Sequence, residues 1–173
     1  MKKLVILLLF VIFSLNSIGQ FKYSGNWTYG TNTDVFDGRY KIASVKGSSS
    51  TIPYKTPTFS IWIMKDKSIP DVCFKGVPYS GCDGKKVKIK FDNKETVYQM
   101  VASGGANNES WFIQPYEYRF TEDFLKALKT SVTMYVRLNS DCDQSYDCSF
   151  SLTGSTVAIN FLKIDFISLF DKK

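Results

Sequence analysis

The chain reads as a mainly β protein: a single antiparallel, sandwich-like domain with one short helix and one helix near the C-terminus. An α+β arrangement is the alternative. Three observations predict this. Short runs of period-two hydrophobicity recur from Trp27 to Leu152, with turn residues between them. Aromatic residues make up 16% of the 173 residues, mostly Phe and Tyr, and such rings suit pleated, half-buried surfaces. Two stretches replace the alternation with helical spacing.

A leader precedes the first strand. Lys2 and Lys3 open onto an unbroken apolar run, 4–13, and small Ser17 and Gly19 stand just ahead of Gln20. A basic start, a short apolar core and a small-x-small exit are the parts of a secretory signal peptide. The apolar run is about half of what a membrane-spanning helix needs. Residues 1–19 are therefore expected to be removed. Residues 20–173 would form the exported domain, secreted or periplasmic, with no membrane anchor after cleavage and no cysteine at the cleavage site to carry a lipid.

The strands follow in order. Residues 39–45 alternate through Tyr40 and Ile42, with Ala43 a further candidate. Residues 58–64 put Phe59, Ile61 and Ile63 on one face and Trp62 on the other. Val87, Ile89 and Phe91 alternate with Lys86, Lys88 and Lys90. Residues 96–102 and 111–113 form a pair across a Gly- and Asn-rich turn, and 132–138 and 149–152 flank a cysteine-bracketed loop. Gly47-Ser48-Ser49-Ser50-Thr51 reads as a flexible loop open to insertion. Thr121 is the expected cap of a short helix ending near Lys129, with Glu122 and Asp123 suiting its N-terminal dipole. The second helix is expected after Gly154, capped by Ser155 or Thr156 and running through residue 170.

All four cysteines, Cys73, Cys82, Cys142 and Cys148, lie beyond the leader. An even count in an exported chain reads as two disulfides. Of three connectivities, Cys73–Cys82 and Cys142–Cys148 are favoured, because each brackets a short stretch with turn residues. Such small loops constrain the unfolded chain least, so each bridge would add about 2–3 kcal/mol at most. Without the leader the net charge falls from +6 to +4, since two of the 22 basic residues go and no acid does. That balance is ordinary for a soluble domain.

Histidine is absent. This excludes Ser-His-Asp and Cys-His mechanisms and most zinc and haem sites, and no cofactor is expected. Carboxylate or Ser/Lys chemistry remains, and no S-x-x-K motif is present for the latter. Carboxylate chemistry needs two acids across a cleft, and Asp34 with Asp37, or Glu117 with Glu122 and Asp123, are the candidates. Turn and helix-start roles explain the same residues. A calcium loop is suggested by Asp141, Asp143, Ser145 and Asp147 at alternate positions. Tyr146 stands where that loop needs Gly, and Leu152 where it needs Glu. Lys86, Lys88 and Lys90 make a positive row on one strand face. It is either a docking stripe for an anionic partner or a charged face that blocks unwanted strand pairing. The basic signature falls short of a nucleic-acid binder's.

In the order Trp27, Val87-Lys88-Ile89-Lys90-Phe91-Asp92, Met134-Tyr135-Val136-Arg137 and Phe150-Ser151-Leu152-Thr153-Gly154, the chain resembles the periplasmic type VI secretion-associated proteins called TagO or VasI. Lys90 stands where that pattern has Arg. The resemblance implies an exported, non-catalytic accessory domain and transfers no catalytic residue. The expectation is thus a non-enzymatic binding or accessory protein. It would meet an unknown protein or glycan outside the cytoplasm through the lysine row and the cysteine-pinned loops. A carboxylate-based glycan hydrolase or a secreted inhibitor or effector is the alternative.

Overall fold

The computed structural model describes residues 20–35, 38–52, 55–66, 70–78, 85–92, 96–104, 110–113, 122–139 and 145–164. Its strands are β1 (Phe21–Ser24), β2 (Trp27–Asp34), β3 (Gly38–Ser49), β4 (Thr58–Met64), β5 (Asp71–Lys75), β6 (Lys85–Phe91), β7 (Val97–Gly104), β8 (Ser110–Ile113), β9 (Thr133–Asn139) and β10 (Ser145–Ser151). Its helices are α1 (Glu122–Thr130) and α2 (Ser155–Leu162).

All pairings are antiparallel. They run β3-β10-β9-β6-β7-β8-β5-β4, and β4 returns to β3. Eight strands therefore close into a barrel, and the sandwich expected from the alternation does not form. The reason is physical. Period two says which side of each strand is buried; it does not say whether the two edges of the sheet meet. Closure rests on the length of β3. Its residues 40–46 pair with β4, and Gly47, Ser48 and Ser49 pair with Phe150, Ser149 and Cys148 of β10. The segment expected to be a flexible loop is thus the seam of the barrel.

The Ser- and Thr-rich composition at the seam supplies bonds. The Ser48 and Ser149 hydroxyls are 2.9 Å apart. The Ser49 hydroxyl donates to the Asp147 carbonyl and accepts from the Thr51 and Ile52 amides, both at 3.1 Å. The Asp147 amide donates to the Thr51 hydroxyl at 2.8 Å. At Gly47 a Cβ would sit 2.6 Å from both the Phe150 ring and the Ser149 carbonyl oxygen, so only glycine fits.

Inside the barrel the apolar phase of every strand converges. Phe59, Phe74 and Phe150 stack at 5.1–6.0 Å between centroids. Val87, Ile89, Phe91, Met134, Val136 and Leu138 fill the β6–β9 wall. Eight strands leave an interior that side chains can fill. Phe124 of α1 lies 5.2 Å from Phe91 and 5.1 Å from Tyr98, covering that end.

The β1–β2 hairpin leaves the ring and pairs with the first part of β3. Its turn docks on the start of α2. The Asn26 amide donates to the Thr153 carbonyl at 3.0 Å. Gly25 and Gly154, both at positive φ, pass so closely that a Cβ on either would meet the other segment's backbone. Gly154 caps α2; neither Ser155 nor Thr156 does. Ser155 is buried, and the Thr156 hydroxyl instead donates to the Lys129 carbonyl at the end of α1, 2.8 Å away. α2 stops at Leu162 because Lys163 turns left-handed, short of the expected residue 170. Residues 165–173 and Thr121 lie outside the described residues.

Candidate functional site

The lysine row lies on the outer face of the barrel. Val87, Ile89 and Phe91 point inward, so Lys86, Lys88 and Lys90 point out and are exposed. Register brings Lys88 opposite Gln99 of β7 and Arg137 of β9, and Lys90 opposite Val97 and Tyr135. Val97, Val101 and Tyr135 are exposed beside them. No acid faces the row from β7 or β9 in this register.

One acid on β10 reaches the β9 side. Asp147 accepts two hydrogen bonds from Arg137, at 2.7 and 2.8 Å. The bidentate pair holds the Asp147 carboxyl below the ordinary carboxylate range and the Arg137 guanidinium above its own ordinary value. Asp147 is therefore a strand residue committed to an arginine, and Ser145 opens the same strand. Asp141 and Asp143 lie outside the described residues.

Cys73 and Cys148 are buried free thiols in this structure. Burial pushes the Cys73 thiol up to about 11 and the Cys148 thiol up to about 12. Cys148 shares the inward phase of Phe150, and Cys73 sits on the opposite face from Val72 and Phe74. Their expected partners, Cys82 and Cys142, lie outside the described residues. So do Asp37 and Glu117; Asp34 and Asp123 are exposed, on β2 and α1.

Two concavities flank the far end of β3, where β2, β3 and β4 extend as a three-stranded arm. On the outer side is an open pocket of about 680 Å³ holding Trp62, Phe112, Asp66 and Asp71, with Arg39 and Lys65 on its rim. Trp62 and Phe112 meet edge to face at 5.8 Å, and the Lys75 ammonium lies 5.7 Å from the Trp62 ring. On the inner side, between the arm and the end of α2, is a groove of about 520 Å³. Arg39, Lys41, Lys65 and Lys163 line it, with Ile63 and Leu162 among its apolar residues.

The sequence reading missed the groove by taking the phase of β3 from Tyr40 and Ile42. Ala43 and Val45 are the buried residues, at 0% and 2% exposure, and Arg39 and Lys41 continue their phase. Cations in step with two small apolar residues were the available signal. Asp66 and Asp71, also missed, come together only through strand pairing: Asp71 stands opposite Trp62.

Comparison with known proteins gives the fold alone. No protein-family profile and no curated protein sequence matches the chain. Among solved structures, the crystal structure of invasion associated protein B from Bartonella henselae superposes with a TM-score of 0.58. The match covers 87% of this chain and 97% of that one, at 13% identity. The two share an architecture along nearly their whole length.

Two residues of the segments singled out in the sequence have structural roles here. Asp92, at φ 45°, accepts from the Val132 amide at 3.1 Å and the Thr133 amide at 2.7 Å, clasping the start of β9. Gly154 is the docking point of the β1–β2 hairpin.

Proposed function

We propose that the protein is an exported, non-enzymatic accessory protein that docks an acidic protein or glycan surface outside the cytoplasm on the outer face of β6. The observation that carries this is the Lys86-Lys88-Lys90 row. It is exposed on a rigid barrel wall, flanked by Val97, Val101 and Tyr135, while Arg137 has its own carboxylate. Fixed like charges on a low-dielectric wall raise the local concentration of an oppositely charged partner, and the exposed valines and tyrosine supply apolar contact once it arrives. The leader and the TagO/VasI resemblance support the export and the accessory role.

The test is binding to polyglutamate and to polygalacturonate at low and high salt. The wild type is expected to bind one of them in a salt-sensitive way. Lys86→Glu/Lys88→Glu/Lys90→Glu is expected to bind at least tenfold more weakly. A triple variant that binds as the wild type does would overturn the assignment. Export is tested separately, by whether the mature mass begins at Gln20.

A second reading is favoured by one observation. Asp66 and Asp71 line the same pocket as the Trp62–Phe112 pair, and aromatic faces beside carboxylates suit a sugar ring. Release of reducing ends from a neutral oligosaccharide, abolished in Asp71→Asn, would establish glycan hydrolysis; no release with the wild type would end it.

A further inference from the structure

We propose that the groove between the β2–β3–β4 arm and the end of α2 binds a small amphipathic anion, an alkyl or acyl chain ending in a phosphate or carboxylate. Along the inner phase of β3 the residues run Val45, Ala43, Lys41, Arg39, so the wall turns from buried apolar to cationic as it leaves the barrel. Beside that wall, half-buried Ile63 of β4 is followed by Lys65 just past the strand's end, and the Lys65 amide donates to the Arg39 carbonyl at 3.1 Å. Lys163 joins from the end of α2.

Two cations of β3, one just past β4 and one just past α2 thus share one concavity, and no carboxylate lines it among the described residues; Arg39 and Lys65 also border the outer pocket that holds Asp66 and Asp71. Two of them are tied to other features of the fold. The Lys41 ammonium is held 5.5 Å from the centre of the Phe161 ring, which itself packs on Tyr29 at 5.2 Å. Lys163 occupies a left-handed position, φ 53°, where glycine is the usual residue. Convergent like charges repel one another, and a cleft of one sign focuses potential on a counter-ion.

The apolar part of the groove decides what kind of anion. Half-buried Ile63 and Met64 lie beside the cations. A bare inorganic anion would leave these surfaces wet, and a neutral amphiphile would leave the cations unneutralised. A ligand with both parts satisfies both, and about 520 Å³ is within the range of small-molecule sites. Arg39 can take an oxyanion bidentately, and the lysines add point charges.

The test is calorimetric titration with decyl phosphate below its micelle concentration. Inorganic phosphate, decanoate and decyltrimethylammonium are titrated alongside. One-to-one binding of decyl phosphate is expected. Decanoate should bind within about tenfold of it, and inorganic phosphate and the cationic amphiphile at least tenfold more weakly. Arg39→Glu/Lys65→Glu, both at exposed positions, should lose at least tenfold in affinity, and Lys126→Glu, exposed on α1 away from the groove, should lose none. The proposal is overturned if decyl phosphate does not bind, if the double variant binds it equally, or if inorganic phosphate or the cationic amphiphile binds as tightly.

Discussion

The two ends of β3 share a strand and a glycine each, and they do opposite work. At one end Gly47, Ser48 and Ser49 lie against β10 and close the barrel. At the other, Gly38, Arg39 and Lys41 leave the ring with β2 and β4 and present charge to a groove. Gly47 is needed because the Phe150 ring and the Ser149 carbonyl fill the space of a Cβ; Gly38 meets nothing within 4 Å and serves only a backbone at φ 76°. The polar residues divide the same way. Ser48 and Ser49 spend their hydroxyls on the neighbouring strand, whereas Arg39 and Lys41 have no described carboxylate within ion-pair distance. Polar composition alone does not separate structure from function; what each polar group is bonded to does.

The largest test of that contrast is the seam's packing. Phe150→Ala removes a ring that touches Phe59, Phe74 and Gly47, and should cost about 4 kcal/mol in urea unfolding. Gly47→Ala should cost about 3 kcal/mol through overpacking. Gly38→Ala should cost about 1 kcal/mol, from backbone conformation alone. Equal costs at the two glycines would erase the distinction between the ends.

The buried thiol at the seam gives a smaller, pH-dependent effect. Cys148 is raised from an ordinary value of 9.0 to about 12 in the fold. Its contribution is full below that ordinary value and is lost as pH rises towards the folded one. Under reducing conditions, at pH 10, wild type should lose about 1 kcal/mol more than Cys148→Ala relative to neutral pH. If a Cys142–Cys148 bridge forms, the difference vanishes without reductant.

The smallest effect is at the Arg137–Asp147 pair. Its side chains are 57% and 48% exposed, so solvent screening holds it below about 1 kcal/mol. Asp147 titrates below its ordinary value, so the pair contributes fully above about pH 4 and is lost as pH falls through the lower folded value. Asp147→Asn should lower the melting temperature slightly at pH 7, and by less as the pH is taken below the ordinary carboxylate range.

The strand phases were legible because burial imposes alternation directly. Phe59, Ile61, Val87, Ile89 and Phe91 are buried, and Lys86, Lys88 and Lys90 face outward. Phe124 and Leu128 likewise announce the inner side of α1. Closure was not legible. Gly47 and its serines have the composition of a loop, and pairing with Cys148, Ser149 and Phe150 of β10, about a hundred residues away, makes them a strand. The groove was hidden for a similar reason: Lys163 and Lys65 meet Arg39 only after the arm and α2 have packed. The end of α2 was misjudged because Phe166 and Leu169 continue a helical spacing that the left-handed Lys163 interrupts.

Hydrogen exchange at the seam tests the account most directly. The ladder amides within Gly47–Ser49 and Cys148–Phe150 should exchange as slowly as those of β6 and β9, through global unfolding only. Exchange of the Gly47–Ser49 amides at the rate of an open loop, with β6 and β9 still protected, would contradict a closed barrel.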